Sequence, residues 1–322
     1  MNLYTLNQRI TALGLAVLFA TGLAVACPIP VFQFSLEYWD SDPFRIEIRH
    51  DGTFNDDQQE ARNRLEAAGS GGDETANIAL SWRDYSQAAI EPPEDMELPY
   101  MIVRYPAITG INDPLWEGPL STTDVAALLD SPARRQLGEW LLGRHAAVWV
   151  LLRSGNRSAD REATRLLEAE LARMERTLKV PDPGVEGMDL GDIYTDIRFK
   201  MLAIDRDDPD EQFLVRMLLG TEPDLDEFED QPIVFPIYGR GLVMYALVGN
   251  GINRWTLNAA GEFLVGPCSC QIKASNPGID LLTSLDWAGQ VERLTTYGES
   301  PALGASGFLD RMDEAEERLR EE

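Results

Sequence analysis

The stretch QPIVFPIYGRGLVMYALVG, residues 231–249, sets two apolar runs on either side of Gly239-Arg240-Gly241. Pro232 opens the first run, Ile233-Val234-Phe235, as prolines do at strand starts. The glycine pair gives the backbone freedom that a tight turn needs. The second run, Leu242 to Val248, reads as one strand, so the whole stretch predicts a hairpin at a sheet edge. A helix over 253–265 follows.

Upstream, Ala147–Leu152 is an unbroken apolar run and hence a buried strand. Residues 159–179 form a helix with Leu167, Leu171, Met174 and Leu178 on one stripe. After a Pro/Gly/Asp loop at 181–196, Phe199–Ile204 is a strand. Asp208 caps and Pro209 opens a helix that Gly220 stops, and 222–230 is an acidic loop. The first half shows a similar order: a short helix after Pro30, a strand over 44–49, a helix over 56–68 and a strand over 78–82. A Pro- and acid-rich loop at 86–98 leads to strands at 100–103 and 115–116. Helices start at Ser121 and Pro132, the second reaching Gly143. Asn276-Pro277 predicts a last short apolar helix to Trp287, and 309–322 a charged one. Strand–helix–strand followed by two close strands predicts, in each half, a mixed sheet with helices on both faces.

The segment 231–249 with its following helix resembles the C-terminal half of the thioredoxin fold. There a cis proline opens the third strand and a glycine-containing hairpin leads to the fourth. Leu98-Pro99-Tyr100-Met101-Ile102-Val103-Arg104 occupies the same place in the first half. The resemblance implies an α/β protein of two thioredoxin-like domains in tandem, with Pro99 and Pro232 as those prolines. The expected organisation is an export signal at 1–26, domains at 27–145 and 146–290, and a charged tail at 291–322. The chain departs from the family where its Cys-x-x-Cys site would lie. The two strand-to-helix turns read His50-Asp-Gly-Thr-Phe-Asn-Asp56 and Arg153-Ser-Gly-Asn-Arg-Ser-Ala-Asp160, without cysteine. Family redox chemistry is therefore not carried over, and a non-enzymatic binding or structural role is expected. The chain is also similar to exported bacterial proteins without assigned function, through Cys-x-x-Pro-Val-Phe at 27–32 and Gly-Pro-Cys-Ser-Cys-Gln at 266–271.

Residues 10–26 are apolar and uncharged, short for a bilayer span of about 20 residues, and end in Ala24-Val25-Ala26. That small-x-small ending is the mark of a cleaved signal. The chain is expected to be exported, to a periplasm or an outer cell surface, with no transmembrane segment after cleavage. Cys27 sits where bacterial lipoproteins carry their lipidated cysteine, although that family prefers Leu where Ala24 stands. Membrane tethering depends on that modification; a plain secreted cysteine is the alternative.

The formal charge is −26, with 54 acidic against 28 basic residues. This excludes nucleic acid as the expected partner and disfavours anionic membranes. It leaves a protein partner, with the acidity itself read as solubility. His50 and His145 lie in no nucleophile motif. The acidic stretches Asp205–Glu211 and Glu222–Asp230 lack the spacing of a calcium loop. Cys268-Ser269-Cys270 is the most unusual feature. It has three readings: a strained, reducible redox pair; a Cu(I) site, with Cys27 as a third ligand; or structural cysteines, one joined to Cys27. No other cofactor is expected.

Overall fold

Phe44-Arg-Ile-Glu-Ile-Arg-His50 alternates apolar and charged residues, whereas Ala147-Val-Trp-Val-Leu-Leu-Arg153 is apolar up to its last residue. A strand of the first kind covers one face and wets the other; a strand of the second kind is covered on both. The computed structural model, which describes residues 29–70, 75–86, 91–93, 96–180, 197–268 and 272–297, has these two strands at the centres of two sheets. The signal segment, Cys27, Cys270, the 181–196 loop and the 309–322 helix lie outside the described residues.

The first sheet runs β2(Ile78–Asp84)–β1(Phe44–His50)–β3(Tyr100–Arg104)–β4(Pro114–Pro119), parallel between β1 and β2 and antiparallel elsewhere. The second repeats that order as β6(Phe199–Asp205)–β5(Ala147–Arg153)–β7(Ile233–Tyr238)–β8(Leu242–Val243), with β9(Leu247–Val248) also on β7 and β10(Ile279–Asp280) added at the β8 edge. The fold is thus mixed α/β with two mixed sheets flanked by helices.

The helices are α1(Val31–Tyr38), α2(Asp56–Gly69), α3(Thr122–Leu129), α4(Pro132–Leu142), α5(Arg157–Thr177), α6(Gln212–Leu219), α7(Arg254–Val265) and α8(Trp287–Tyr297). They form two cores. One joins Phe44, Ile46 and Ile48 of β1 to Leu65 of α2, Leu128 of α3, Leu137 of α4 and Met217 of α6, and reaches Val148, Val150 and Leu152 of β5. The other lies on the opposite face of the second sheet, where Trp149 and Leu151 meet α1, α5 and α7. The two sheets therefore share a core, and α1, which precedes the first sheet in sequence, packs on the second.

Three sequence expectations are corrected. The first sheet has helices on one face alone among the described residues, because the described part of the β2–β3 connection is not helical. Its outer face instead carries the charged residues of β1. The run 242–248 is not one regular strand. Pairs of β7 with β8 and with β9 differ in register by one residue, a bulge at Met244–Ala246 opposite Pro236. Proline has no N–H for the ladder. The Pro236 carbonyl accepts Met244 N at 2.9 Å, and the Glu222 carboxylate takes the Ala246 N–H at 2.9 Å. The helix expected over 277–287 is absent. Gly278 has φ +144°, which no helix accommodates, and Ile279 and Asp280 pair with Val243 and Leu242.

Candidate functional site

Two helix starts and one strand start converge in the second half. Asn156 precedes α5, and its side-chain oxygen accepts the N–H groups of Ser158 and Ala159 at 3.2 and 3.3 Å. Asn253 does the same for α7, accepting from Trp255 and Thr256 at 3.0 and 3.2 Å, while Thr256 Oγ1 accepts the Asn253 N–H in return. Between them, Asp230-Gln231-Pro232 leads into β7. These three segments wall a groove of about 440 Å³ lined also by Ala159, Glu162 and Asn250.

The groove is rigid for local reasons. Asp160, 7% exposed, accepts Ser154 N and Oγ at 2.9 Å each and Gly155 N at 3.1 Å, which fixes the turn from β5 into α5. Gly249 N donates to the Pro232 carbonyl at 2.9 Å. Gly249 has φ +49°, and a Cβ there would fall 2.1 Å from Gln231 Oε1, so a side chain would displace the groove wall. The polar groups on offer are Asn and Gln amides with the exposed carboxylates of Glu162 and Asp230. They can hydrogen-bond a ligand, and among the described residues no thiol or imidazole lines the groove. Two residues past Asn253, Trp255 is 78% exposed.

A second cavity, about 480 Å³, lies among α2, α3 and the 284–285 segment. Its charged groups are engaged: Arg135 pairs with Asp130 and Arg64 with Glu60.

The cysteine segment is placed elsewhere. Cys268 follows α7, is 1% exposed, and its N–H donates to the Ile29 carbonyl at 3.0 Å. Cys27 and Cys270 lie outside the described residues. Among the described residues no group of three or more His, Cys, Asp or Glu side chains could hold a metal ion. Leu98–Pro99 is the one cis peptide bond among the described residues, so Pro232, expected to share that geometry, is trans. Gln231 N closes a turn onto the Phe228 carbonyl at 3.2 Å, directly before Pro232 and the start of β7.

Both histidines have local partners. His50 Nδ1 accepts Gly52 N at 3.1 Å, and its ring packs at a tilt against Phe54, 5.1 Å between ring centres. His145 Nδ1 lies 2.8 Å from the Trp140 carbonyl, and burial holds its pKa below the usual value. The most perturbed carboxyl is Asp280, 4% exposed on β10, where burial raises the pKa to about 7 despite Lys273 Nζ at 2.5 Å. Lys273 also reaches Asp42 at 2.9 Å, so this cluster ties the sheet edge to the chain entering β1.

Sequence reading missed the groove residues Asn156, Asn253, Asp230 and Gln231. An Asn immediately before a helical pattern is a capping signal that marks the first two; the others sit in a loop whose partners are distant in sequence. No helix of the described residues is long and apolar enough to cross a membrane. Comparison with known proteins finds no relative: no protein-family model, no curated protein and no solved structure matches the chain.

Proposed function

We propose that the chain is an exported, non-enzymatic binding protein built on two redox-inactive thioredoxin-like units, with its ligand site in the groove between Asn156, Pro232 and Asn253. The observation that carries this reading is the make-up of the groove. It is built from the two places the resemblance singles out, the turn from first strand to first helix and the proline opening the third strand. Amides and carboxylates stand there instead of a cysteine pair. The repeated strand order in the two sheets supports the thioredoxin-like assignment. A concave site with a few convergent polar groups is the usual form of a recognition site, and an exposed tryptophan beside it, Trp255, suits a protein or peptide ligand. The alternative, exchange or Cu(I) chemistry through Cys268 and Cys270, needs accessible sulfur, and burial of Cys268 weighs against it.

The test is selection of a displayed peptide library on the full mature chain, repeated with Ala159→Trp, which fills the groove from α5. Selected peptides are expected to lose at least about ten-fold in affinity for the variant, with the thermal midpoint unchanged. Equal binding to both proteins, or no selection on either, overturns the groove assignment.

A further inference from the structure

The outer face of the first sheet is ordered in rows. Register places Ala79, Arg45 and Arg104 in one row, Ser81, Glu47 and Ile102 in the next, and Arg83, Arg49 and Tyr100 in the third. Two arginine pairs thus lie directly opposite across strands, Arg45 with Arg104 and Arg49 with Arg83. Like charges in that position destabilise a sheet. Glu47 sits between the pairs and offsets part of the repulsion. Its Oε1 accepts Arg49 Nε at 2.9 Å and Arg83 Nε at 3.0 Å, and its Oε2 lies 4.0 Å from Arg104 Nη1. The guanidinium groups hold its pKa below the ordinary carboxylate range. Ile102, 2% exposed, belongs to neither core, and on this face lies level with Glu47 of β1 and Glu117 of β4. With Glu117, the face carries four arginines against two carboxylates in a chain of net charge −26.

We propose that this sheet face, which no helix covers among the described residues, binds a short acidic peptide segment of a partner protein in extended form. A guanidinium has five N–H donors, and Glu47 takes one each from Arg49 and Arg83. Arginine is also the side chain best shaped to take a carboxylate with two parallel hydrogen bonds. The arginine rows are four residues apart on β1, about 13 Å at strand rise. Carboxylates at positions i and i+4 of an extended peptide have that separation and face one side. Residue i+2 then lies over Glu47, where a lysine or a neutral side chain fits and an acid does not. Charge outside the patch is screened beyond about 8 Å at physiological salt, so a short segment senses the arginines while a long polyanion meets the repulsion of the whole chain. The proposal is independent of the groove in the second half.

The test is fluorescence anisotropy of the full mature chain with two labelled nine-residue peptides, one with Glu at i and i+4 and Lys at i+2, the other with the acids at i and i+3. At about 150 mM salt, where charge outside the patch is screened, the i,i+4 peptide is expected to bind at least about ten-fold tighter. Arg83→Gln and Arg104→Gln each weaken it about five-fold or more without moving the melting curve. Glu47→Gln tightens it, because the competing carboxylate is gone, an effect that a purely structural Glu47 would not produce. Equal affinity for the two peptides, or displacement by inorganic phosphate at matched ionic strength, overturns the proposal in favour of a simple anion site. Arginine-dependent binding to anionic vesicles overturns it in favour of a membrane. Binding that appears only in a chain ending at Tyr297 overturns it in favour of the chain's own acidic end.

Discussion

Asp280 keeps a carboxyl inside the protein against the pull of water. Its Oδ2 accepts Lys273 Nζ at 2.5 Å and Asp42 N at 3.0 Å, yet burial still lifts its pKa to about 7 from 3.8. The folded chain therefore holds this proton more tightly than the unfolded one. Stability from this group is complete below the unfolded value and is lost as pH rises through about 7. The loss has an upper bound on the order of 4 kcal/mol. Burial holds His145 down, so its slope is opposite and confined to pH below its ordinary value. The wild-type urea midpoint is expected to fall between pH 5 and pH 8, and Asp280→Asn to remove most of that fall. A parallel decline in the variant refutes the assignment. Nothing local in Gly278-Ile279-Asp280-Leu281-Leu282 announces this burial. The run is apolar enough to predict a helix, and its strand state comes from the ladder that Leu242 and Val243 supply.

At the level of elements, Arg134 does work that capping residues close in sequence cannot. It is 2% exposed at the start of α4, and its guanidinium donates to the carbonyls of Ala127 and Leu128 at the end of α3, at 2.5 and 2.7 Å. It also reaches the Leu282 carbonyl at 3.1 Å and Ser131 Oγ at 3.0 Å. Glu211, 3% exposed, accepts Ala133 N at 2.7 Å and supplies the nearby negative charge. One side chain thus closes α3, opens α4 and pins the C-terminal segment. Removing the guanidinium leaves three carbonyls without their donor and the buried Glu211 charge without its nearby cation, so Arg134→Met should cost about 3–5 kcal/mol in equilibrium unfolding. Arg134→Lys should recover little, because an ammonium cannot span carbonyls that a planar fork reaches. A loss under 1 kcal/mol for Arg134→Met would contradict this role. The helices themselves were legible in part: Ser121 marks the start of α3, Pro132 that of α4, and the stripe Leu167–Leu171–Met174 the buried face of α5, whereas the Asn156 cap went unread. The Pro236 bulge was not, since its effect falls on a strand eight residues downstream through a missing hydrogen bond.

Across the whole molecule, the halves are joined rather than strung together. Tyr105, at the end of β3, donates its hydroxyl to the Arg216 carbonyl of α6 at 2.9 Å. Gly220 leaves the room for it: a Cβ there would lie 1.8 Å from the Tyr105 oxygen. Gly220→Ala should therefore destabilise the protein by about 2 kcal/mol or more through overpacking and a lost buried hydrogen bond. Tyr105→Phe in the same chain should restore part of it, because the hydroxyl in the way is gone. Strict additivity of the two changes in a double-mutant cycle would refute the contact. The two-sheet plan could be read from the order of strands and helices; the open outer face of the first sheet was not, although the alternation at 44–50, against the continuous run at 147–152, carries its signal. The shared core could not, because α4 and α6 present apolar faces whose destination no local pattern specifies.

The N-terminal clamp has a consequence for reach. Pro30 bridges to Pro267, Val31 N donates to the Gly266 carbonyl at 3.0 Å and Cys268 N to the Ile29 carbonyl at 3.0 Å. The chain is thus anchored to the body two residues after Cys27, a leash of at most about 7 Å. A lipid on Cys27 would hold the domain within about that distance of the headgroups, with almost no search volume. Its ligands would have to come to the membrane. If the chain is cut after Ala26 and Cys27 stays bare, the same clamp leaves two residues ahead of Ile29, too few for a protease to grip.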